Sequence, residues 1–245
     1  MTERDRSQRL QSIYSRIARW SADDKFVTRK IAAVNPTAEL AVVGEAPGPR
    51  TVRLSGVNYF DRGGRIGATG RYLDEILRPL GCTVYPPRDV KVSCGTITRA
   101  QGAGRPTVYC TDLCPVFPGY QSVLNHRQRI RRPSQTLVRS SIKKGFLRDE
   151  LATINPRVIL LLGALCYKHF YRCFLNESAT PSLGIVVSRV QNVHLPMYGN
   201  AVVVPFLHPS PSSPAFLRWF ERFVPRLSDS PLVKLISRSL RNSPP

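Results

Sequence analysis

The chain has 245 residues, 42% of them hydrophobic, enough for one ordinary core with or without a small appendage. Lys and Arg outnumber Asp and Glu by 36 to 16, a formal net charge of +20 with a pI near 10.5, and that excess draws polyanions through phosphate neutralisation and counterion release. No apolar run reaches the roughly eighteen residues of a membrane span, and the amino terminus, MTERDRSQRL, is charged where a signal peptide turns apolar, so a soluble cytoplasmic protein is expected.

Nucleic acid is the partner this charge favours over a membrane surface. A single monomeric domain is expected over 37–225, with a helical extension at 1–36 and a helix or tail at 226–245. The six cysteines, Cys82, Cys94, Cys110, Cys114, Cys166 and Cys173, include no C-x-x-C pair, so buried thiols in a reducing compartment are expected ahead of disulfides or a metal cluster.

In chain order, Leu10, Ile13, Ile17 and Trp20 recur at three- and four-residue steps among Arg, Gln and Ser, the pattern of an amphipathic helix over 3–20. Leu40-Ala41-Val42-Val43 is a short apolar run that stops at Gly44-Glu45-Ala46-Pro47-Gly48, a buried strand delivering a loop with one acid. The glycine-rich stretch 50–70, interrupted by Tyr59-Phe60-Asp61, reads as a long functional loop. Thr69 is expected to cap a helix through Leu80, with Gly81 as its stop.

Residues 83–106 are rich in turn formers and resist assignment. Thr107 to Thr111 reads as a second strand with Asp112 at its tip. From His126 to Arg148 come Arg127, Arg129, Arg131, Arg132, Arg139, Lys143, Lys144 and Arg148 with no acid, a pattern of phosphate-facing segments more than of core.

A helix is expected over 133–154, interrupted at Gly145, then the most apolar strand, Arg157 to Leu162, and a helix over 163–175. Residues 184–193 suggest an edge strand or hairpin. Ala201 to Leu207 forms the fourth strand and ends in His208-Pro209-Ser210-Pro211; helices follow at 215–224 and near Leu232, Leu235 and Ile236. Four apolar strands alternating with helices predict a three-layer α/β/α fold on a central four-stranded parallel sheet. Ligands of such sheets sit outside the carboxyl ends of the strands, where the acid loop and the histidine loop would meet.

GEAPG after the first strand, Thr111-Asp112 after the second, the INPRVILLLG third strand and HPSP after the fourth, in this order, resemble the uracil-DNA glycosylase superfamily over about Glu39 to Arg218. The first loop is similar to that of the thermostable family-four enzymes, and HPSP to that of the classical and single-strand-selective branches. The resemblance implies a monofunctional DNA glycosylase that flips a base out of the stack and hydrolyses its glycosidic bond.

By the same resemblance His208 donates to the pyrimidine O2 as charge develops there, and either Glu45 or Asp61 handles the water or the cationic sugar. Phe60, or its neighbour Tyr59, stacks on the flipped base; Gly44 and Ala46 line the pocket, Ala46 standing where several branches carry Asp or Asn. Ser210 and Ser212 approach phosphates, joined by Arg127, Arg131, Arg132, Lys143 and Lys144. The leucine wedge of several branches is replaced by Ser212, with Phe216 further on.

Asp112 stands where uracil-specific members carry Asn. An ionised Asp only accepts, which suits the N4 amino group of a cytosine-type base; a protonated one would mimic the amide and admit uracil. Since removing ordinary cytosine would ruin the cell, a modified cytosine of invading phage DNA fits the first option. The family-four enzymes hold an iron–sulfur cluster partly through an amino-terminal C-x-x-C; no cysteine precedes Cys82 here, so no cofactor or metal is expected. The alternative is a non-catalytic nucleic-acid binder that retains the fold.

Overall fold

Five consecutive residues, Val158-Ile159-Leu160-Leu161-Leu162, are sealed from solvent on both faces, which requires a central strand with helices above and below it. The computed structural model describes residues 1–20, 35–47, 67–84, 90–93, 96–99, 108–115, 120–123, 127–130, 133–179, 181–188 and 195–241, with the backbone alone given for 90–93, 96–99, 120–123 and 127–130.

The elements are α1 (Glu3–Trp20), β1 (Leu40–Gly44), α2 (Ala68–Leu77, ending in a 3-10 turn Arg78–Leu80), β2 (Val90–Ser93), β3 (Thr96–Arg99), β4 (Val108–Asp112), β5 (Tyr120–Val123), β6 (Arg127–Ile130), α3 (Gln135–Lys144) and α4 (Phe146–Ile154). They continue with β7 (Val158–Leu162), α5 (Ala164–Phe170, passing into a π-helical turn Tyr171–Leu175), α6 (Leu183–Ser188), β8 (Met197–Tyr198), β9 (Ala201–Phe206), α7 (Pro214–Phe223) and, after a 3-10 stretch Val224–Asp229, α8 (Pro231–Arg241).

The main sheet has the order β4-β1-β7-β9-β8. The first four strands are parallel, with Gly44 level with Asp112, Val43 with Leu161 and Leu162 with Phe206. From β1 the chain moves outward to β4, then jumps back past β1 to β7. That reversal opens a crevice at the carboxyl ends of β1, β4 and β7.

The α/β/α expectation holds, with one strand more than the four expected. β8 is antiparallel to β9 and joined to it by a two-residue turn in which Gly199 has φ +58°, a value glycine adopts without strain. The expected edge strand or hairpin at 184–193 is a helix over its described part: Leu183, Val186 and Val187 are buried at helical spacing while Ile185 is 44% exposed. Residues 189–193 lie outside the described residues. Thr69 lies inside α2 and does not cap it; Gly67 precedes the helix with no side-chain cap. Among the turn-rich residues 83–106, β2 and β3 form an antiparallel hairpin, and β5 and β6 form another within 120–130.

Gly145, at φ +76°, separates α3 from α4, and Ser134 caps α3 by accepting from Leu137 N at 3.1 Å. Helices α1, α3 and α4 pack together beside β4, α8 and the 3-10 stretch Val224–Asp229 pack on the 3-10 turn after α2, and α7 meets α2 through Phe216 and Phe220 on Tyr72. Leu10, Ile13, Tyr14 and Ile17 of α1 are buried, and the Tyr14 and Tyr109 hydroxyls meet at 3.0 Å. Among the described residues no helix is long and apolar enough to cross a membrane.

Candidate active site

Four parallel strands deliver four chain segments to one end of the sheet. The β1–β4 ladder runs on past the strands, with Leu113 N donating to Gly44 O at 2.8 Å and Cys114 N to Glu45 O at 3.1 Å. The acid turn and the Asp112 tip are thereby tied together by backbone. Asp112 is 6% exposed, and its Oδ1 lies 2.6 Å from where a β-carbon on Gly44 would stand. Only glycine at position 44 leaves that volume to the carboxylate.

On the other side of β1, Gly163 follows β7 with φ +92° and donates its N–H to Phe206 O at 2.8 Å. A β-carbon on Gly163 would lie 2.9 Å from Glu45 Oε1 and 3.4 Å from His208 Cβ. Glu45 Oε1 and His208 Cβ therefore both lie against the bare face of Gly163, and both residues are half-buried.

Beneath them Cys166 of α5 is buried and donates its S–H to Gly44 O at 2.8 Å. Burial pushes this thiol well above its ordinary range, and the nearby charges of Glu45 and Asp112 push it the same way. Gly163 and Cys166 are the site residues that sequence reading missed. The signal for the first was a glycine at a strand tip, before a helix; a lone cysteine in an apolar helix gave none.

Of the other candidates, Ala46 is half-buried against the core beside Glu45. Ser210 is half-buried and Ser212 exposed; their hydroxyls meet at 2.8 Å, and Ser210 Oγ also accepts from Ser212 N at 3.2 Å. Phe216 is fully buried among Phe206, Trp219, Phe220 and Tyr72, so it is a core residue and no wedge.

Lys143 and Lys144 are exposed on the last turn of α3, whose Ser141 donates to Leu113 O at 3.2 Å. Tyr59, Phe60, Asp61, Arg131 and Arg132 lie outside the described residues, and Arg127 falls in β6, where only backbone is described.

The described cysteines do not fit an iron–sulfur cluster. Cys114 and Cys166 are buried in the core, Cys82 bonds Leu80 O at 3.7 Å, and no group of three His, Cys, Asp or Glu among the described residues is arranged to hold a metal ion.

Two carboxylates and a histidine stand at the carboxyl ends of a parallel sheet, beside its switch point, where α/β proteins of this class bind their ligands. The lineage is specific: the chain belongs to the uracil-DNA glycosylase superfamily, whose family model, described as "Uracil DNA glycosylase superfamily", matches residues 31–228. Members of that superfamily are in general DNA glycosylases of base excision repair, hydrolases whose partner is DNA. No curated protein matches the chain.

Proposed function

We propose that the protein is a monofunctional DNA glycosylase that flips a target pyrimidine into the crevice and hydrolyses its N-glycosidic bond. The observation that supports this reading is the placement of Glu45 and His208 against the same face of Gly163, one strand away from Asp112 over Gly44. In the reaction the bond between C1′ and the base nitrogen breaks, its electron pair leaving with the base. His208 donates a hydrogen bond to the oxygen where that negative charge gathers, and Glu45 faces the cationic sugar and takes the proton of the water that adds to C1′. A base, an abasic sugar and no covalent enzyme intermediate result.

The substrate we favour is a modified cytosine, with uracil as the rival. A carboxylate in the place of an amide offers only acceptors, which complements an N4 amino group and repels the O4 of uracil. Its position over Gly44, in a site with little room for water, makes that mismatch expensive. A host whose own cytosine is unmodified would be spared, and phage DNA carrying hydroxymethylated or glucosylated cytosine would be cut, which is a defence role.

Oligonucleotides carrying uracil, hypoxanthine or modified cytosines, treated with protein and heated in alkali, test the reading directly. Strand breaks at modified cytosine are expected; breaks at uracil alone overturn the cytosine assignment, and none at any base overturns the glycosylase. Asp112→Asn is expected to shift preference toward uracil by at least about tenfold, the least that one buried hydrogen bond of about 1.4 kcal/mol would give. Glu45→Gln with His208→Asn is expected to bind DNA as before and to form no abasic sites.

A further inference from the structure

Tyr109, Thr111 and Leu113, every second residue at the end of β4, are each tied to the helices beside it through a buried polar group. The Tyr109 hydroxyl meets that of Tyr14 on α1 at 3.0 Å, Thr111 Oγ1 donates to Glu150 Oε2 of α4, and Leu113 O accepts from Ser141 Oγ of α3 at 3.2 Å. Thr111 is fully enclosed, and Glu150 is 1% exposed. Side chains alternate along a strand, so Thr111 faces this helical layer while Asp112 faces the other way, over Gly44.

A buried carboxyl is a costly means of holding a helix on a strand. Apolar residues of the same size hold two layers at least as well, because desolvation offsets most of what a buried hydrogen bond or charge contributes. What polar ties add is register. An apolar contact survives a small slide, whereas a slide of β4 along α4 separates a buried carboxyl from the hydroxyl it holds.

Register matters most at this strand. β4 ends the sheet order and is paired among the described strands to β1 alone, so one ladder sets its height. At the tip Gly44 is level with Asp112, and Leu113 N and Cys114 N carry the ladder on to Gly44 O and Glu45 O. The two tied residues, Thr111 and Leu113, stand on either side of Asp112 in the chain.

We propose that Glu150, acting through Thr111, is a positioning residue for the Asp112 carboxylate and thereby sets how strictly the site selects its base. This role rests on the glycosylase reading, in which Asp112 meets the base edge. Enclosed on the far face of β4, Glu150 acts through the backbone that carries Asp112, whose oxygens must stand within hydrogen-bond reach of one exocyclic group. A shift of about 1 Å there is enough to lose that selection.

The test is Thr111→Val/Glu150→Leu in the full chain, which removes both partners at once and leaves an apolar pair in their place, a change chosen to keep the fold. Discrimination is read as the ratio of kcat/KM on oligonucleotides carrying hydroxymethylated cytosine to that on uracil. The double variant is expected to bring this ratio about tenfold nearer to one, while in an Asp112→Asn background the same change moves it by less than about threefold. Support of a merely structural kind would slow both substrates alike and leave the ratio where it was in either background. A second readout needs no substrate. Amide hydrogen exchange at Leu113 and Cys114 is expected to quicken by about tenfold or more in the double variant, with Leu160 and Leu161 of β7 exchanging as before.

A ratio that stays put, or that moves equally with and without Asp112, overturns the proposal, as do tip amides that exchange unchanged. Quicker exchange at the tip of a protein that forms no abasic sites from any base would sink the glycosylase reading and leave the Glu150–Thr111 tie as the holder of Asp112. Abasic sites formed with a ratio indifferent to the pair would do the reverse.

Discussion

At the scale of single residues, the site is organised by what two glycines lack. Gly163 sits at φ +92°, ψ 163°, a region essentially closed to other residues, with Glu45 and His208 against its open side. Gly163→Ala is expected to cost about 1–3 kcal/mol of stability from backbone strain. It should also displace the Glu45 carboxylate and lower the rate of abasic-site formation by about 100-fold or more, the scale of losing one transition-state contact. Denaturant unfolding and single-turnover kinetics on the same preparation separate the two effects; a stability loss with unchanged rate would show that Glu45 does not act from this position.

Cys166 gives a pH test with a definite sign. Its folded value lies above the ordinary 9.0, so the folded state keeps a proton that the unfolded chain releases. The contribution to stability is complete below 9.0 and is lost as pH rises beyond it. Cys166→Ser, which retains a donor toward Gly44 O, is expected to flatten the fall of stability just above pH 9.0 while keeping activity, and Cys166→Ala to flatten it and lose activity. Glu45, Asp112 and His208 were legible in the sequence because each is a polar residue at the end of an apolar run. Gly163 and Cys166 were not, because Glu45 lies 118 positions from Gly163 (163 − 45) and Gly44 lies 122 from Cys166 (166 − 44), and only the β1–β7 pairing brings them near.

At the scale of elements, burial decides what holds the helical layers to the sheet. Leu10 of α1 is fully enclosed, whereas the pair that Arg16 of the same helix makes with Asp149 of α4 is 41% and 38% exposed. Leu10→Ala is therefore expected to destabilise by about 2–5 kcal/mol, through lost transfer energy and the cavity left behind. Arg16→Ala should cost under about 1 kcal/mol, since water screens the pair. Urea unfolding of both variants checks the ranking, and the reverse order would mean that α1 is held mainly by its charges.

The parallel strands and the amphipathic α1 could be read from sequence because each repeats one hydrophobic period over its length. α6 was misread because Ile185-Val186-Val187 is β-branched and short, so residue preference spoke for a strand while burial at Leu183, Val186 and Val187 enforced a helix. β8 was missed because two residues carry no period at all; its position is set by the Gly199 turn and by pairing with Val202 and Ala201.

At the scale of the whole molecule, a formal charge of +20 on 245 residues acts on stability and on binding in opposite directions. In the isolated protein, like charges repel, and compactness raises that repulsion above its value in the expanded chain. Salt screens it over a Debye length of about 10 Å at 0.1 M. Thermal stability without DNA is therefore expected to rise between about 50 and 300 mM monovalent salt. Adding duplex at the low end of that range should raise the melting temperature, because DNA binds the folded state and supplies the missing counter-charge. The gain should shrink as salt rises, since the counterions released on binding are then returned to a more concentrated solution. Melting curves over a grid of salt and duplex concentrations test both halves together. Stability that falls with salt in the free protein would mean that favourable ion pairs such as Arg157–Glu39 outweigh the excess cations. A duplex-induced shift that persists at high salt would place the binding energy at the proposed base site, beside Asp112 and His208, and not on the basic surface.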